Sequence, residues 1–322
     1  NNYKNRLRIR VNLLLIFKMV NETVALFIRS KTTPYVFNSF IVLACLNMVL
    51  FFTASFGNIL IVLSLRKVSL LHPPSRLLLR NLALTDLFVG LFTHPLATLH
   101  SISILVENVP IFQFTVRSSY VSSAILSGMS LFVLTLISVD RLLALSLGMK
   151  YRQEVTARRV RGFVIFFWVL NTANGLALLS RERFVFYIFS ASSIFLCMII
   201  STFCYAKIYR ILRLQEMKVR TTCSQKQKNK NSLLSVKRYK KTVSNALWVH
   251  LTLLACYFPY SIVSGLKAVT KETWGVAEGF TGTLIFFNSS LNPLLYCWRI
   301  KEVRQALLEM IRQYRSLLLR ET

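Results

Sequence analysis

Long apolar runs separated by basic segments are the feature that most restricts the fold of this chain. Of its 322 residues, 54% are hydrophobic and only 16% are charged, whereas soluble domains usually carry about 25% charged residues. A helix needs roughly 20 apolar residues to cross a bilayer, and a backbone in lipid must satisfy its own hydrogen bonds, which favours helices. We therefore predict an all-α membrane protein built as a bundle of seven transmembrane helices. The predicted spans are Phe37–Leu65, Leu77–Ile104, Phe112–Leu145, Val160–Ser180, Phe184–Leu212, Val243–Val269 and Ala277–Trp298.

The basic residues between the spans predict the orientation of the chain. Cytoplasmic loops carry an excess of Lys and Arg, and residues 206–242, between spans five and six, hold twelve basic residues against Glu216 alone. With an odd number of spans, the amino terminus then lies outside the cell and the carboxyl terminus in the cytoplasm. Such loops can also contact anionic membrane lipids. This distribution argues against a nucleic-acid-binding protein, in which a basic patch lies on a soluble fold.

The membrane domain is expected to have a short segment on either side. Residues 1–18 contain five basic residues and no acid, so we expect that Met19 is the authentic start. Asn21 then begins a glycosylation sequon in an outside-facing segment. The predicted regions are an extracellular segment, a seven-helix domain and a cytoplasmic surface helix with its tail, at residues 1–36, 37–299 and 300–322.

The segment after span seven has the pattern of an amphipathic helix. Its apolar residues recur at helical spacing, with basic residues elsewhere around the helix, which is typical of a helix on a membrane surface. A fraying end of span seven is the alternative. The apolar residues are Ile300, Val303, Leu307 and Ile311.

A charged residue inside an apolar span is energetically costly and is therefore a functional candidate. Asp86 lies in the middle of span two, while Ser130 in span three and Asn288 and Asn292 in span seven supply further polar side chains. One carboxylate among hydroxyl and amide oxygens suits sodium, because a divalent ion requires more negative charge. A hydrogen-bonded cluster around a protonated Asp86 is the alternative. The polar residues alone favour neither.

Asp140 and Arg141 close the third span at its cytoplasmic end. The arginine can pair with the neighbouring aspartate or reach toward a cytoplasmic partner. It can equally be a cation that extends to the membrane interface, as long basic side chains commonly do. Pro259 in span six and Pro293 in span seven each remove a backbone hydrogen bond, so both spans are expected to be kinked.

These residues stand in the order of the motifs of one receptor family, and the chain resembles the rhodopsin-like (class A) G-protein-coupled receptors from about Phe37 to Gln313. Its inner half is most similar to the adenosine and melanocortin receptor group. The residues that carry the resemblance are Gly57-Asn58, Leu82-Ala83-Leu84-Thr85-Asp86, Asp140-Arg141, Trp168, Tyr205, Cys256-Tyr257-Phe258-Pro259 and Asn292-Pro293-Leu294-Leu295-Tyr296.

The resemblance implies that the protein is a plasma-membrane receptor that converts binding of an extracellular small-molecule or peptide ligand into activation of a heterotrimeric G protein. Arg141 would contact the G protein and Asp140 would restrain it at rest. Tyr205 and Tyr296 would swing inward in the active state, and Pro259 would be the hinge of span six. The resemblance also implies an allosteric sodium pocket, formed by Asp86, Ser130, Asn288 and Asn292.

The chain departs from the family pattern at several positions. Tyr257 replaces the usual tryptophan below the ligand, so the activation trigger is expected to differ. Cys197 stands where span five usually has a proline, and Val116 stands where the outer disulfide usually begins. We therefore expect no structural disulfide. The six cysteines lie in spans or on the inner side, at positions 45, 197, 204, 223, 256 and 297.

The ligand cavity is expected to open outward between the helices. Ser123 stands where amine receptors carry an aspartate, so a biogenic amine lacks its usual counter-ion. Phe286 stands where opsins carry the retinal-linked lysine, and Ser264 replaces an asparagine that adenosine receptors use. Each candidate residue could instead serve packing alone. The candidates are His94, Tyr120, Ser123, Ser127, Tyr257, Ser261, Ser264 and Phe286.

Two other classes of membrane protein are weighed against a receptor. A transporter or channel would use charges along a pathway, but Asp86 is the one acid predicted deep in a span. A membrane hydrolase would need several ligands converging on a metal, whereas His94 and His100 are six residues apart and do not share a helix face. We therefore expect neither an enzyme nor a cofactor, apart from the sodium ion.

Overall fold

The computed structural model describes residues 33–67, 72–177, 183–225, 251–267, 269–270, 275–299, 304–309 and 312. Within these ranges the chain is almost entirely helical and has no β-strand. Among the described helices, five are long and apolar enough to cross a membrane. The main helices are α1 (Pro34–Lys67), α2 (Pro73–Leu105), α3 (Val109–Leu147), α4 (Ala157–Ala177), α5 (Arg183–Gln225), α6 (residues 251–267) and α7 (Gly275–Arg299).

Most of the described helices begin a few residues before the predicted apolar runs, and two of these earlier starts have a clear local cause. α2 begins at Pro73 rather than Leu77, because a proline in the first turn of a helix has no N–H that would need a partner. α3 begins at Val109 rather than Phe112, because Asn108 caps it: its side chain accepts a hydrogen bond of 3.1 Å from the backbone N–H of Ile111. Side-chain capping of this kind satisfies a backbone donor that the helix itself cannot.

α5 continues well beyond its predicted end at Leu212 and reaches Gln225. Residues 213–225 are mostly polar but contain neither glycine nor proline, so nothing in this segment interrupts the helix once it has formed. The predicted beginning of span six, residues 243–250, lies outside the described residues, as do 178–180 at the predicted end of span four. Residues 304–309 after α7 are helical, with Ala306 buried, while Ile300, Val303 and Ile311 are outside the described part.

α2 is interrupted by a π-helical turn at Val89–Thr93, which the sequence analysis did not anticipate. Pro95 follows this turn, and a proline in a regular α-helix lacks an N–H and collides with the carbonyl four residues earlier. The wider turn relieves that collision by adding one residue. Because an α-helix has 3.6 residues per turn, the extra residue rotates the outer half of α2 by about 100°.

The helices pack around α3, which contacts α2, α4 and α5, while α1 lies against α2 and α7. Met129 and Val133 of α3 are fully buried beside Leu82 of α2. Large apolar side chains on the outside remain exposed, such as Phe56 at 69% and Phe203 at 57%. Outward-facing phenylalanines of this kind suit a lipid environment and would be unusual on a soluble monomer.

Candidate functional site

A buried polar cluster joins α2, α3 and α7 at Asp86. The side chain of Asp86 is fully buried, and its Oδ1 accepts hydrogen bonds from Ser130 Oγ at 2.9 Å and Ser289 Oγ at 2.8 Å. Its Oδ2 accepts a third, of 2.7 Å, from Asn292 Nδ2. Ser289 was not singled out from the sequence, although it lies three residues before Asn292 and therefore on the same helix face.

Two amide side chains beside this cluster keep an atom without a partner. Asn58 donates from Nδ2 to the backbone carbonyls of Ala54 and Ser289, both at 2.9 Å. Its Oδ1 is buried and has no hydrogen-bond partner among the described residues, and the same holds for Nδ2 of Asn288. Buried polar atoms without partners are uncommon and often mark the place of water or an ion.

The Asp140–Arg141 pair lies near the carboxyl-terminal end of α3, but Asp140 has stronger partners than Arg141. Tyr151 donates a hydrogen bond of 2.5 Å to Oδ1 of Asp140, and Ser75 donates one of 2.8 Å to Oδ2. Nη2 of Arg141 lies 3.6 Å from Asp140 Oδ2 and the arginine side chain is 46% exposed. At 3.6 Å the two groups form an ion pair without a hydrogen bond, and a partly exposed pair of this kind is weak enough for Arg141 to exchange Asp140 for another partner.

The other predicted switch residues lie in the helices expected of them. Tyr205 is buried and packs in a cluster that includes Leu142 of α3. Tyr257 donates a hydrogen bond of 3.3 Å to the backbone carbonyl of Ser127, which joins α6 to α3. Pro259 lies within the continuous helix α6. Tyr296 belongs to α7, but its side chain lies outside the described residues.

A cavity of about 150 Å³ lies between the helices, and residues from all of α1 to α7 line it. A cavity of this volume can hold a molecule about the size of benzene. The predicted ligand residues that line it are Tyr120, Ser123, Ser127, Tyr257 and Phe286.

Three predicted ligand residues do not line this cavity. His94 is fully buried, with Nδ1 at 2.9 Å from Asn47 Oδ1 and its ring edge-on to Phe286. Ser261 donates to a carbonyl of its own helix. Ser264 is also buried, and its Oγ has no partner among the described residues. The π-helical turn before His94 places this histidine between helices rather than in the cavity wall.

Glu278 is the charged residue of the cavity, and it was not among the ligand residues predicted from the sequence. It lies in the first turn of α7, is buried, and lines the cavity. Nζ of Lys267 lies 2.5 Å from its Oε2. Only the approach of α6 to α7 places these two residues together, so no spacing along the chain could have identified the pair.

Four of the six cysteines have described side chains, and all four are free thiols: Cys45, Cys197, Cys204 and Cys256. The side chains of Cys223 and Cys297 lie outside the described part, as does Asn21.

Comparison with known proteins places this arrangement in a large family. The family model described as "7 transmembrane receptor (rhodopsin family)" matches residues 57–185 and 178–296. Trace amine-associated receptor 8b of Rattus norvegicus is 26% identical over 284 residues, which is 78% of this chain and 80% of the relative. Trace amine-associated receptor 365 of Petromyzon marinus is 25% identical over 75% of this chain and 71% of its own.

A shorter stretch is more similar to another branch of receptors. The human adenosine receptor A2b is 31% identical over 120 residues, which cover 37% of this chain and 35% of the relative. The likeness to trace amine-associated receptors over about three quarters of the chain and the local likeness to an adenosine receptor point to the same family.

Proposed function

The chain belongs to the rhodopsin family of seven-transmembrane receptors, and from this premise we propose how it couples an extracellular ligand to a heterotrimeric G protein. It is a G-protein-coupled receptor and not an enzyme. The family match also disfavours the transporter or channel alternative. The observation that carries the proposal is the exposed Arg141, which stands at the inner end of α3 beside a well-anchored Asp140.

In this proposal, α1 to α7 are the seven spans, with the amino terminus outside the cell and the residues after α7 in the cytoplasm. The basic segments between helices support this orientation. Residues 304–309 would continue as the surface helix along the inner leaflet, since Ala306 packs into the main core while Arg304 and Glu309 stay exposed. The receptor would act at the plasma membrane.

Activation would begin at the cavity and end at Arg141. A ligand in the cavity would contact Tyr257, which is hydrogen-bonded to α3, and a change at this contact would move α6 about Pro259. Outward movement of α6 would open a space at the inner end of the bundle for the G protein. Tyr205, already packed against the inner end of α3, and Tyr296 would hold that open arrangement.

The residues around Asp86 suit a sodium ion, which is the one small ligand besides the agonist that we propose. The carboxylate is surrounded by the hydroxyl oxygens of Ser130 and Ser289, and hard oxygen ligands match a hard cation. The buried Oδ1 of Asn58 is an acceptor with no partner among the described residues. A bound sodium ion would supply positive charge to this cluster and favour the resting arrangement of α2, α3 and α7.

The relatives suggest one class of ligand. Several are named as trace amine-associated receptors, which makes an amine a candidate ligand for this chain. Ser123 lines the cavity, however, where amine receptors carry an aspartate. An amine would therefore need its carboxylate from another wall of the cavity.

The test of coupling is guanine-nucleotide exchange on a panel of G proteins in cell membranes that contain the full chain. We expect Arg141→Ala to abolish exchange at matched surface expression, because the variant loses the cation offered to the G protein. Arg117→Ala is the matched control: Arg117 is an exposed arginine at the opposite end of the same helix, and its removal should leave exchange intact. Equal exchange by the parent and Arg141→Ala would contradict the proposed role.

A further inference from the structure

A buried ion pair lies at the outer end of the bundle, beside the cavity. Lys267, the last residue of α6 as described, lies with Nζ 2.5 Å from Oε2 of Glu278 in the first turn of α7. The side chains of the two residues are only 19% and 8% exposed. Removing one partner of such a pair leaves an uncompensated buried charge, which is strongly unfavourable. Any molecule that separates this pair must therefore replace a charge.

Aromatic side chains complete the surroundings of the lysine. The ammonium group of Lys267 lies 4.9 Å from the ring centre of Tyr187 in α5 and 5.4 Å from that of Tyr120 in α3. A carboxylate flanked by aromatic rings is the arrangement by which proteins bind organic ammonium ions. Side chains of three helices, α3, α5 and α7, thus form a cation-binding site, and Lys267 of α6 occupies it.

This cation-binding site opens into the cavity. Tyr120 and Glu278 both line the cavity, and Glu278 is the only Asp, Glu, Lys or Arg among the described residues that do so. The rest of the lining is mostly apolar and includes the aromatic rings of Phe186 and Phe286. A molecule in the cavity therefore meets one negative charge, the edge of a cation site and an apolar surface.

We infer that the ligand of this receptor is a small organic ammonium, and that its charged group displaces Lys267 from Glu278. The inference rests on the proposed function, in which this cavity is the ligand site. Exchange of one ammonium for another keeps the buried carboxylate paired, whereas an anionic ligand would bring a second negative charge beside it. The lysine is the partner that can leave, because its flexible stem lets its charged end reach water.

The counter-ion of an amine would come from α7, at Glu278, and not from α3, where Ser123 stands. The volume of about 150 Å³ suits a ligand with about one aromatic ring and a short ammonium-bearing chain. Lys267 acts as an internal competitor, so the apparent affinity for the ligand is the intrinsic affinity multiplied by the fraction of receptors in which the lysine has left the site.

Chemical rescue tests the cation-binding site without knowledge of the natural ligand. The variant Lys267→Ala removes the equivalent of a propylammonium ion, so n-propylammonium is the probe, with n-propanol and propionate as its neutral and anionic counterparts. We expect Lys267→Ala in the purified full chain to melt at a lower temperature than the parent. Millimolar n-propylammonium should restore several degrees of that loss, because a ligand that binds only the folded state stabilises it, while the other two probes should restore none.

Two variants control this measurement. The double variant Lys267→Ala, Glu278→Gln lacks the carboxylate and should not respond to n-propylammonium. Lys207→Ala removes an exposed lysine that lies 5.5 Å from the ring centre of Phe203, and it should not respond either. Equal stabilisation of Lys267→Ala by n-propanol, stabilisation by propionate, or no effect of n-propylammonium would overturn the inference.

Binding of a ring-bearing amine tests the competition. We expect 2-phenylethylammonium to bind Lys267→Ala about tenfold more tightly than the parent, and Glu278→Gln to lose this binding, with 2-phenylethanol as the neutral control. Equal affinity for the parent and Lys267→Ala would show that the lysine does not compete. The binding assay contains no G protein. A negative binding result would therefore overturn the displacement of Lys267 but not the coupling role of Arg141. A negative exchange result with Arg141→Ala would overturn the coupling role but not the displacement.

Discussion

At the scale of single residues, the two buried aspartates of the bundle have different neighbours and so different roles. Asp86 lies deep between α2, α3 and α7 and is held by two serines and an asparagine. Asp140 lies at the inner end of α3 and is held by Tyr151 and Ser75, which come from segments on either side of it. The first cluster has oxygen atoms that suit an ion, whereas the second fixes the geometry beside Arg141.

We predict that sodium raises the thermal stability of the purified receptor relative to potassium at equal ionic strength, and that Asp86→Asn abolishes the difference. Sodium that binds the folded state stabilises it by about 2.7 kcal/mol at a hundred times its dissociation constant. Glu154→Gln, at an acid whose side chain is 62% exposed, should keep the sodium effect. Equal stability in both salts would favour the protonated-Asp86 alternative instead.

We also predict that Tyr151→Phe destabilises the receptor by about 1.5–3 kcal/mol, because a buried carboxylate loses a hydrogen-bond donor. Thermal unfolding of the purified protein measures the loss. Tyr209→Phe is the control, since Tyr209 is 43% exposed in α5, and it should change the stability by much less. A Tyr151→Phe protein as stable as the parent would mean that Ser75 alone satisfies Asp140.

At the scale of helices, close approach decides where small residues are required. A Cβ atom on Gly57 of α1 would lie 2.8 Å from Cγ and 3.0 Å from Cβ of Pro293 in α7. The proline ring is rigid and cannot rotate away, as a flexible side chain could. The glycine of the first motif and the proline of the last motif are therefore a single packing contact, although they are far apart in the sequence.

We predict that Gly57→Ala destabilises the receptor by about 1–3 kcal/mol, which is the usual cost of overpacking a well-packed core. Gly162→Ala in α4 is the matched control, because a Cβ atom there meets nothing within 4 Å. The control should gain about 0.5–1 kcal/mol from the higher helix propensity of alanine. Thermal unfolding of both variants checks the prediction, and a neutral Gly57→Ala would show that α1 and α7 can move apart freely.

The π-helical turn in α2 is the other feature at this scale. It lies between Asp86 in the inner half of the helix and His94 in the outer half. The rotation that the turn introduces determines which residues of the outer half face the cavity: His100 and Ser101 line it, whereas His94 does not. A regular helix drawn through the sequence would have placed these side chains incorrectly.

At the scale of the whole molecule, the bundle has different chemistry at its two ends. The outer end has the cavity, the Lys267–Glu278 pair and tyrosines from several helices. The other end has Arg141 and the extension of α5 to Gln225. The buried Asp86 cluster lies between them, on the helices that a signal from the cavity to the inner end would have to rearrange.

We predict that an epitope at the amino terminus is accessible to antibody on intact cells, and that one at the carboxyl terminus is accessible only after permeabilisation. In the same preparation, Asn21→Gln should lower the apparent mass by one glycan, because the sequon would face the compartment where glycosylation occurs. Glycosidase treatment of the parent is the control for that mass. Labelling of both termini on intact cells would contradict an odd number of spans.

The sequence by itself determined the all-helical membrane class and the family. Lipid imposes a long apolar run on every span, and the motif residues keep their order along the chain. The sequence also identified Asp86, Ser130 and Asn292 as candidate partners, which the structure brings into contact.

Tertiary structure decided which side chains meet across helices: Ser289 with Asp86, Tyr151 with Asp140, Lys267 with Glu278. Such contacts depend on helix rotation and close approach, which apolar periodicity does not encode, and a single π-helical turn was enough to move His94 out of the cavity wall.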